Sequence, residues 1–360
     1  MSDDKKFTPA RLEGYNVAKN QNSISGLSSG AFMTVQMHLA HSSSFIGAGV
    51  IAGGPYRCAE SFRKTAPIAD DAYAMNALYI CMTPLTQRTG PNPRRLADLA
   101  WQTAVDGRID PIANLADDRL YIFTGSKDEV VNSSVVNSTR HFYEMLGVRP
   151  ERIKYIDTVP AGHSIITDNV EDSPLGTNQP PYINYGGFMQ SHDILRHIHG
   201  DLNPPAARPS GELIRFDQSE FLGDDAAWAS MGAFGYVYVP ESVRRGATAR
   251  GVHIVFHGCK QGYSYINYTL GRADVSSQPP YGNRYITTTG YNEIADSNDI
   301  IVLYPQVTGD DDNQAQNPDG CWDWWGYTSR NSEDPDYYTR DALQIRAVYK
   351  MLEQLCGGRT

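Results

Sequence analysis

Three residues in this chain have types and settings suited to nucleophilic chemistry. Gly26-Leu27-Ser28-Ser29-Gly30 is a G-x-S-x-G pattern lying between an extended apolar segment and a helix-like one. In that setting the glycines permit a sharp turn that lifts the Ser28 hydroxyl off a strand end, with a helix N-terminus beneath it. A nucleophilic serine needs a histidine to take its proton and a carboxylate to hold that histidine in the right tautomer. Asp128 follows the segment RLYIFT and His163 follows RIKYIDTV, so both stand at the ends of expected strands, in the order Ser, Asp, His. With 32 Gly and 26 Ser in 360 residues, chance alone yields about 0.2 copies of the serine pattern, so the pattern by itself is weak. The joint placement of Ser28, Asp128 and His163 is what points to a catalytic triad. Glu129, Asp157, His192, His197 and His199 are competitors in poorer positions, next to the acid, inside a strand or in a helical stretch.

The tetrahedral intermediate of acyl transfer also needs two amide donors, one following the nucleophile and one from a loop after another strand, typically near an HG dipeptide. Ser29 supplies the first. The dipeptide occurs in VHIVFHGCKQ, yet it follows the triad residues when it should precede them. The order is rotated. If the later strands are the early strands of a hydrolase sheet, the last helix should lead into the nucleophile strand, and the two ends of the chain should be neighbours in space.

The elements that must hold these groups read as alternating strands and helices, the pattern of a parallel sheet covered by helices. Strands are expected at Asn22 to Gly26, Ile46 to Ala52, Arg119 to Thr124 and Arg152 to Val159, with helices at Ser29 to Ala40, Ala97 to Val105 and Val135 to Leu146. From about Asp168 to Gly211 the composition turns to Asn, Pro, Gly and Ser around the short helical DILRHIHG, as in an irregular connection or lid. Strands resume at Gly235 to Pro240, Val252 to Phe256 and Ile300 to Tyr304, with helices at Ile286 to Asp296 and Tyr337 to Leu355. Asp310-Asp311-Asp312-Asn313 lacks the spacing of a calcium loop and reads as solvated.

Composition sets limits on function. Hydrophobic residues at 41% and charged residues at 20% suit a packed core, and a net charge of −10 without Lys/Arg clusters excludes a nucleic-acid binder. No apolar stretch is long enough to span a membrane. The N-terminal residues carry no apolar signal-peptide core, and about 1–13 read as flexible. Five cysteines, spaced unlike a zinc cluster, suggest two disulfides and one spare thiol.

GLSSG, the G-x-x-D-x-x-V run from Gly125 to Val131, AGH at 161–163, HGCKQ at 257–261 and GCWDWW at 320–325 together resemble the circularly permuted, fungal-type poly(3-hydroxybutyrate) depolymerases. The resemblance spans about residues 20 to 355. It implies a circularly permuted α/β-hydrolase fold, a mostly parallel sheet with helices on both faces. It also implies Ser28 as nucleophile, Asp128 and His163 as its partners, the amides of Ser29 and Cys259 as the oxyanion hole, and Trp322, Trp324 and Trp325 as a crevice for polymer. Ala31 departs from the second glycine of many relatives, outside the pattern that positions Ser28. Cys259–Cys321 and Cys58–Cys81 are the disulfides expected.

The resulting expectation is one catalytic domain without a separate polymer-binding domain: a monomeric serine esterase for polyhydroxyalkanoates, needing no cofactor or metal. The compartment expected from the disulfides is extracellular or periplasmic, against the missing leader, which leaves a cytoplasmic alternative. Rival readings are an esterase for feruloyl-type esters and a non-catalytic polymer-surface binder on the same scaffold.

Overall fold

The computed structural model describes residues 10–62, 72–263, 265, 282–309 and 317–358, so the acidic run 310–313 lies outside the described residues. Among the described residues eleven strands follow in chain order: β1 Asn22–Leu27, β2 Phe45–Ile51, β3 Arg119–Phe123, β4 Ile153–Ile156, β5 Ile165–Thr167, β6 Ser173–Pro174, β7 Ile183–Tyr185, β8 Glu212–Asp217, β9 Phe234–Val239, β10 Gly251–Phe256 and β11 Ile300–Tyr304. The helices among the described residues are α1 Ser29–Ala40, α2 Ala72–Tyr79, α3 Pro93–Val105, α4 Ser133–Met145, α5 Gln190–His199, α6 Ala226–Ala229, α7 Glu241–Arg244, α8 Arg284–Thr287, α9 Tyr291–Asp296 and α10 Leu343–Cys356.

Eight strands form one sheet in the order β4-β3-β2-β1-β10-β11-β9-β8, parallel except where β9 runs against β11 and β8. The N-terminal and C-terminal halves of the chain therefore meet at the β1–β10 pairing, inside a single sheet. Every residue of β1 is buried, as required of a strand paired on both sides and covered on both faces. Its alternation assigns the faces. Gly26 lies against Gly30 of α1, whereas Ser23 and Ser25 point the other way, to His199 of α5 and Tyr291 of α9. Helix α1 is buried along its whole length, which explains why SGAFMTVQMHLA carries no polar face.

The turn from β1 into α1 is strained. Ser28 sits at φ 57°, ψ −123°, a region that L-residues rarely adopt. Two glycines let it form: a Cβ on Gly26 would lie 2.3 Å from the Gly30 carbonyl oxygen, and a Cβ on Gly30 would lie 2.4 and 2.5 Å from the carbonyl oxygens of His257 and Phe256. The chain ends also approach each other, Tyr15 N–H donating to Leu355 O at 2.8 Å.

Several expectations need correction. The stretch 168–211, taken as irregular, contains most of a small parallel sheet, β5-β7-β6, and the amphipathic α5, whose Ile194, Leu195 and Ile198 are buried. Asn184 staples this sheet, its Nδ2 donating to Leu175 O and Thr177 O, an order built from side-chain bonds that polar composition conceals. The helix expected over 286–296 is two, α8 and α9, because Gly290 adopts φ 81° between them. Helix α10 begins only at Leu343, residues 337–342 being turns around buried Tyr337 and Tyr338. Residues 10–13, expected to be loose, are tied down by the Ala10–Phe216 bridge and by buried Leu12.

A buried polar chain crosses the sheet on the face of β1 away from α1. The His253 ring nitrogens lie 2.7 Å from Ser23 Oγ and 2.8 Å from Ser25 Oγ, and these hydroxyls in turn meet His199 Nε2 at 2.9 Å and Tyr291 OH at 2.7 Å. Burial holds His253 well below its ordinary pKa and lowers His41, His199 and His257 to about 4. All four are neutral in the fold, so below pH 6.5 the unfolded chain takes up protons that the folded one refuses. Their stabilising effect is complete above pH 6.5 and is lost toward pH 4, each histidine contributing up to about 1.4 kcal/mol per pH unit. Melting temperature measured from pH 8 to 4.5 should fall progressively below 6.5, and His199→Gln should make that fall shallower; a flat profile contradicts the account. Gly30→Ala should cost about 2–4 kcal/mol, because backbone opposes its Cβ. An unchanged melting temperature for that variant would show that the two loops can separate freely.

Candidate active site

The strained turn leaves Ser28 at the floor of a cavity of about 420 Å³ and sets its backbone amide and carbonyl to work in the turn. Ser28 N–H donates to Ile51 O at 2.9 Å, and Ser28 O accepts from Ala31 and Phe32 at 2.8 and 3.0 Å. These bonds fix the backbone while the hydroxyl remains at the cavity, the residue being 9% exposed.

Asp128 and His163 come from the loops after β3 and β4. Gly125 permits the two loops to pack, since a Cβ there would sit 2.1 Å from Ala161 O, and Ser126 and Lys127 donate their amides to Val159 O and Ala161 O. The Asp128 carboxylate accepts from Val130 and Val131 N–H through Oδ1, at 2.8 and 2.9 Å, and from His163 Nδ1–H through Oδ2 at 2.8 Å. With Nδ1 carrying the proton, Nε2 is left as the basic nitrogen, and His163 lines the same cavity as Ser28. Both side chains of the pair are nearly inaccessible, 1% for Asp128 and 2% for His163, so solvent screens their attraction little. The competing residues are elsewhere: His192 and His197 lie within bonding distance of Gly290 O and Arg152 O, His199 lies in the buried chain, Glu129 is exposed, and Asp157 is exposed just beyond β4.

Ser29 and Cys259 line the cavity beside Ser28. Ser29 is the first residue of α1, where an N–H has no intrahelical partner. The amides flanking Cys259 are committed, Gly258 N–H to Gln261 Oε1 at 2.6 Å and Lys260 N–H to Asp319 O at 2.7 Å. The disulfide Cys259–Cys321 joins this loop to the aromatic segment, while Cys58–Cys81 closes the loop that carries α2; Cys356 is an exposed free thiol.

The three tryptophans do not share a role. Trp324 and Trp325 line the cavity, Trp324 stacked on Phe32 at 3.9 Å and Trp325 edge-on to Trp324 at 5.4 Å. Trp322, expected in the crevice, is instead wholly buried against Phe256 and His257, and its backbone N–H donates to Ser29 Oγ at 3.3 Å. The chain turns at Asp323. Its buried carboxylate accepts from the amides of Trp325, Gly326, Tyr327 and Thr328 and from the Thr328 hydroxyl, curling the chain where Trp324 and Trp325 line the cavity and Trp322 packs inward. Burial pushes the Asp323 carboxyl up, and those donors oppose the shift.

Sequence reasoning missed the rest of the cavity wall, which includes Phe32, Ala77, Leu78, Met82, Val130 and Val131. It also missed Asn178, Gln261 and Asp323. The last two stood inside quoted motifs without an assigned role, and nothing in the sequence marked Asn178.

No protein-family model matches the chain. A poly(3-hydroxybutyrate) depolymerase of Delftia acidovorans is 35% identical over 351 residues, 96% of this chain and 62% of that protein, so the chain spans under two thirds of this relative. A polyhydroxybutyrate depolymerase of Talaromyces funiculosus is 32% identical, the alignment covering 96% of this chain and 93% of that one. Among solved structures, the PHB depolymerase from Penicillium funiculosum and a PHB depolymerase complexed with an R3HB trimer each superpose with a TM-score of 0.79 at 30% identity, over 98% of this chain and 100% of theirs. The fold is accordingly an α/β-hydrolase fold. With that strand order, and with 32% identity to a relative matched over nearly its full length, the chain belongs to the polyhydroxybutyrate depolymerase family.

Proposed function

We propose that this protein is a serine esterase that hydrolyses the ester bonds of poly(3-hydroxybutyrate) or similar polyhydroxyalkanoates to short oligomers and monomer. The observation that carries the proposal is that the strained Ser28 and His163 line one largely apolar cavity, with the dry Asp128 held on the His163 ring nitrogen. Family membership gives the polyester as the substrate class.

Ser28 Oγ attacks the ester carbonyl as His163 Nε2 removes its proton, and Asp128 holds the imidazole and stabilises the imidazolium. Negative charge then develops on the former carbonyl oxygen, where the amides of Ser29 and Cys259 donate to it. Collapse expels the hydroxyl end of the next unit, protonated by His163, and leaves the acyl group on Ser28. Water, activated by the same histidine, releases it as a carboxylic acid. Trp324 and Trp325 supply flat apolar faces for the uncharged chain. A net charge of −10 and the lack of basic clusters fit a substrate that needs no ionic recognition.

Further parts of the proposal concern the chain's history and setting. Read from β8 across to β4, the sheet has the strand order of an uncut hydrolase whose chain has been opened between α10 and β1, and the Tyr15–Leu355 hydrogen bond supports such a circular permutation. One catalytic domain accounts for a sheet shared by both halves. The two disulfides favour an extracellular or periplasmic setting, and the protein is taken to act as a monomer.

Ser28→Ala should abolish hydrolysis of p-nitrophenyl butanoate and of polymer granules, by about 10³-fold or more, with the melting temperature little changed. Wild-type and variant assayed in parallel decide the reading: retained activity in the variant overturns it, and faster cleavage of feruloyl esters than of poly(3-hydroxybutyrate) film moves the substrate assignment.

A further inference from the structure

The catalytic roles above leave one question of rigidity: three loops from two halves of the chain must hold the base and the oxyanion donors at fixed separation. Residues 177–182 touch all three. Asn178 Oδ1 accepts from His163 N–H at 2.7 Å and from Glu129 N–H at 3.1 Å, while its Nδ2 donates to Lys127 O at 3.0 Å and to Gly176 O at 3.3 Å. One side chain thus grips the backbone of the proposed base and both neighbours of its acid. The contact is close, since a Cβ on Gly162 would lie 2.3 Å from Thr177 O.

At the other end of the same segment, Pro181 O accepts from Gln261 Nε2 at 2.7 Å, and Gln261 Oε1 accepts from Gly258 N–H at 2.6 Å. Gln261 therefore pins the loop carrying the Cys259 amide. Tyr182 follows at φ 56° and sets its ring edge-on to His163, 5.5 Å between centroids. Its carbonyl accepts from Ile165 N–H, so the segment is also anchored to the strand after His163. A side-chain amide suits each position because one arm must accept and the other donate.

We infer that Asn178 and Gln261 are positioning residues which lock the general base and the oxyanion loop to one shared strap, residues 177–182. The inference rests on the esterase reading above. Asn178 lies behind the cavity and Gln261 in its wall, and each acts by setting a distance. Misplacement of about 1 Å in such a constellation lowers turnover roughly 100-fold without loss of ground-state binding.

The test is a double-mutant cycle on soluble p-nitrophenyl butanoate, with folding checked by circular dichroism and melting temperature. Asn178→Ala and Gln261→Leu should each lower kcat about 10- to 100-fold while KM changes less than about 3-fold. Because both act through one strap, the double variant should fall no more than about 3-fold below the worse single variant. Asn178→Asp keeps both acceptor contacts and loses both donations, and its kcat should lie between those of wild type and Asn178→Ala; if the alanine variant does not fold, a kcat below wild type with unchanged KM is the supporting result. Folded single variants with wild-type kcat, losses that multiply in the double variant, or losses expressed in KM alone overturn the inference. Ser28→Ala is measured beside them: activity remaining there overturns the esterase reading itself, whereas an inert Ser28→Ala with unimpaired strap variants overturns the strap alone.

Discussion

The close approach of Gly30 to the carbonyls of Phe256 and His257 is the constraint on which the rest of the site depends. A sheet that pairs β1 with β10 brings the start of α1 against the end of β10, leaving no room for a side chain between them. The strained backbone of Ser28 persists because its surroundings over-determine it: a strand paired on both sides, a helix buried throughout, and three backbone hydrogen bonds at the turn. The Ser29 amide and the HGCKQ loop become neighbours through the same contact, so the proposed nucleophile and the proposed oxyanion donors are set by one packing contact.

Around this centre, two buried carboxylates have their hydrogen bonds made. Asp128 spends its carboxylate on His163 and two amides; Asp323 spends its own on one loop. Each shapes a turn that apolar packing could not specify, since hydrogen bonds are directional and a buried unpaired carboxylate is costly. The Cys259–Cys321 bond joins the HGCKQ loop to the segment that carries Asp323 and presents Trp324 and Trp325. The cavity beside them is lined mainly by apolar side chains, which suits the uncharged ester chain proposed as substrate.

Local sequence determined much of this protein. The strand–turn–helix around Ser28, the positions of Asp128 and His163 after their strands, the rotated motif order and the mostly parallel sheet all follow from short-range patterns: two-residue and 3.6-residue periodicities, and glycines where the chain turns sharply. These features were legible because strand ends and helix starts are set by residues within a few positions of each other. Tertiary structure decided which of the three tryptophans face the cavity, since Trp322 packs inward against Phe256 and His257 while Trp324 and Trp325 line the cavity, Trp324 stacked on Phe32. It also decided that 168–211 is ordered and that Asn178 and Gln261, 83 positions apart in the sequence numbering (261 − 178), hold the same strap. Such contacts depend on loops brought together by the sheet, and a single side-chain amide carries no local signature of the distant backbone it will bind.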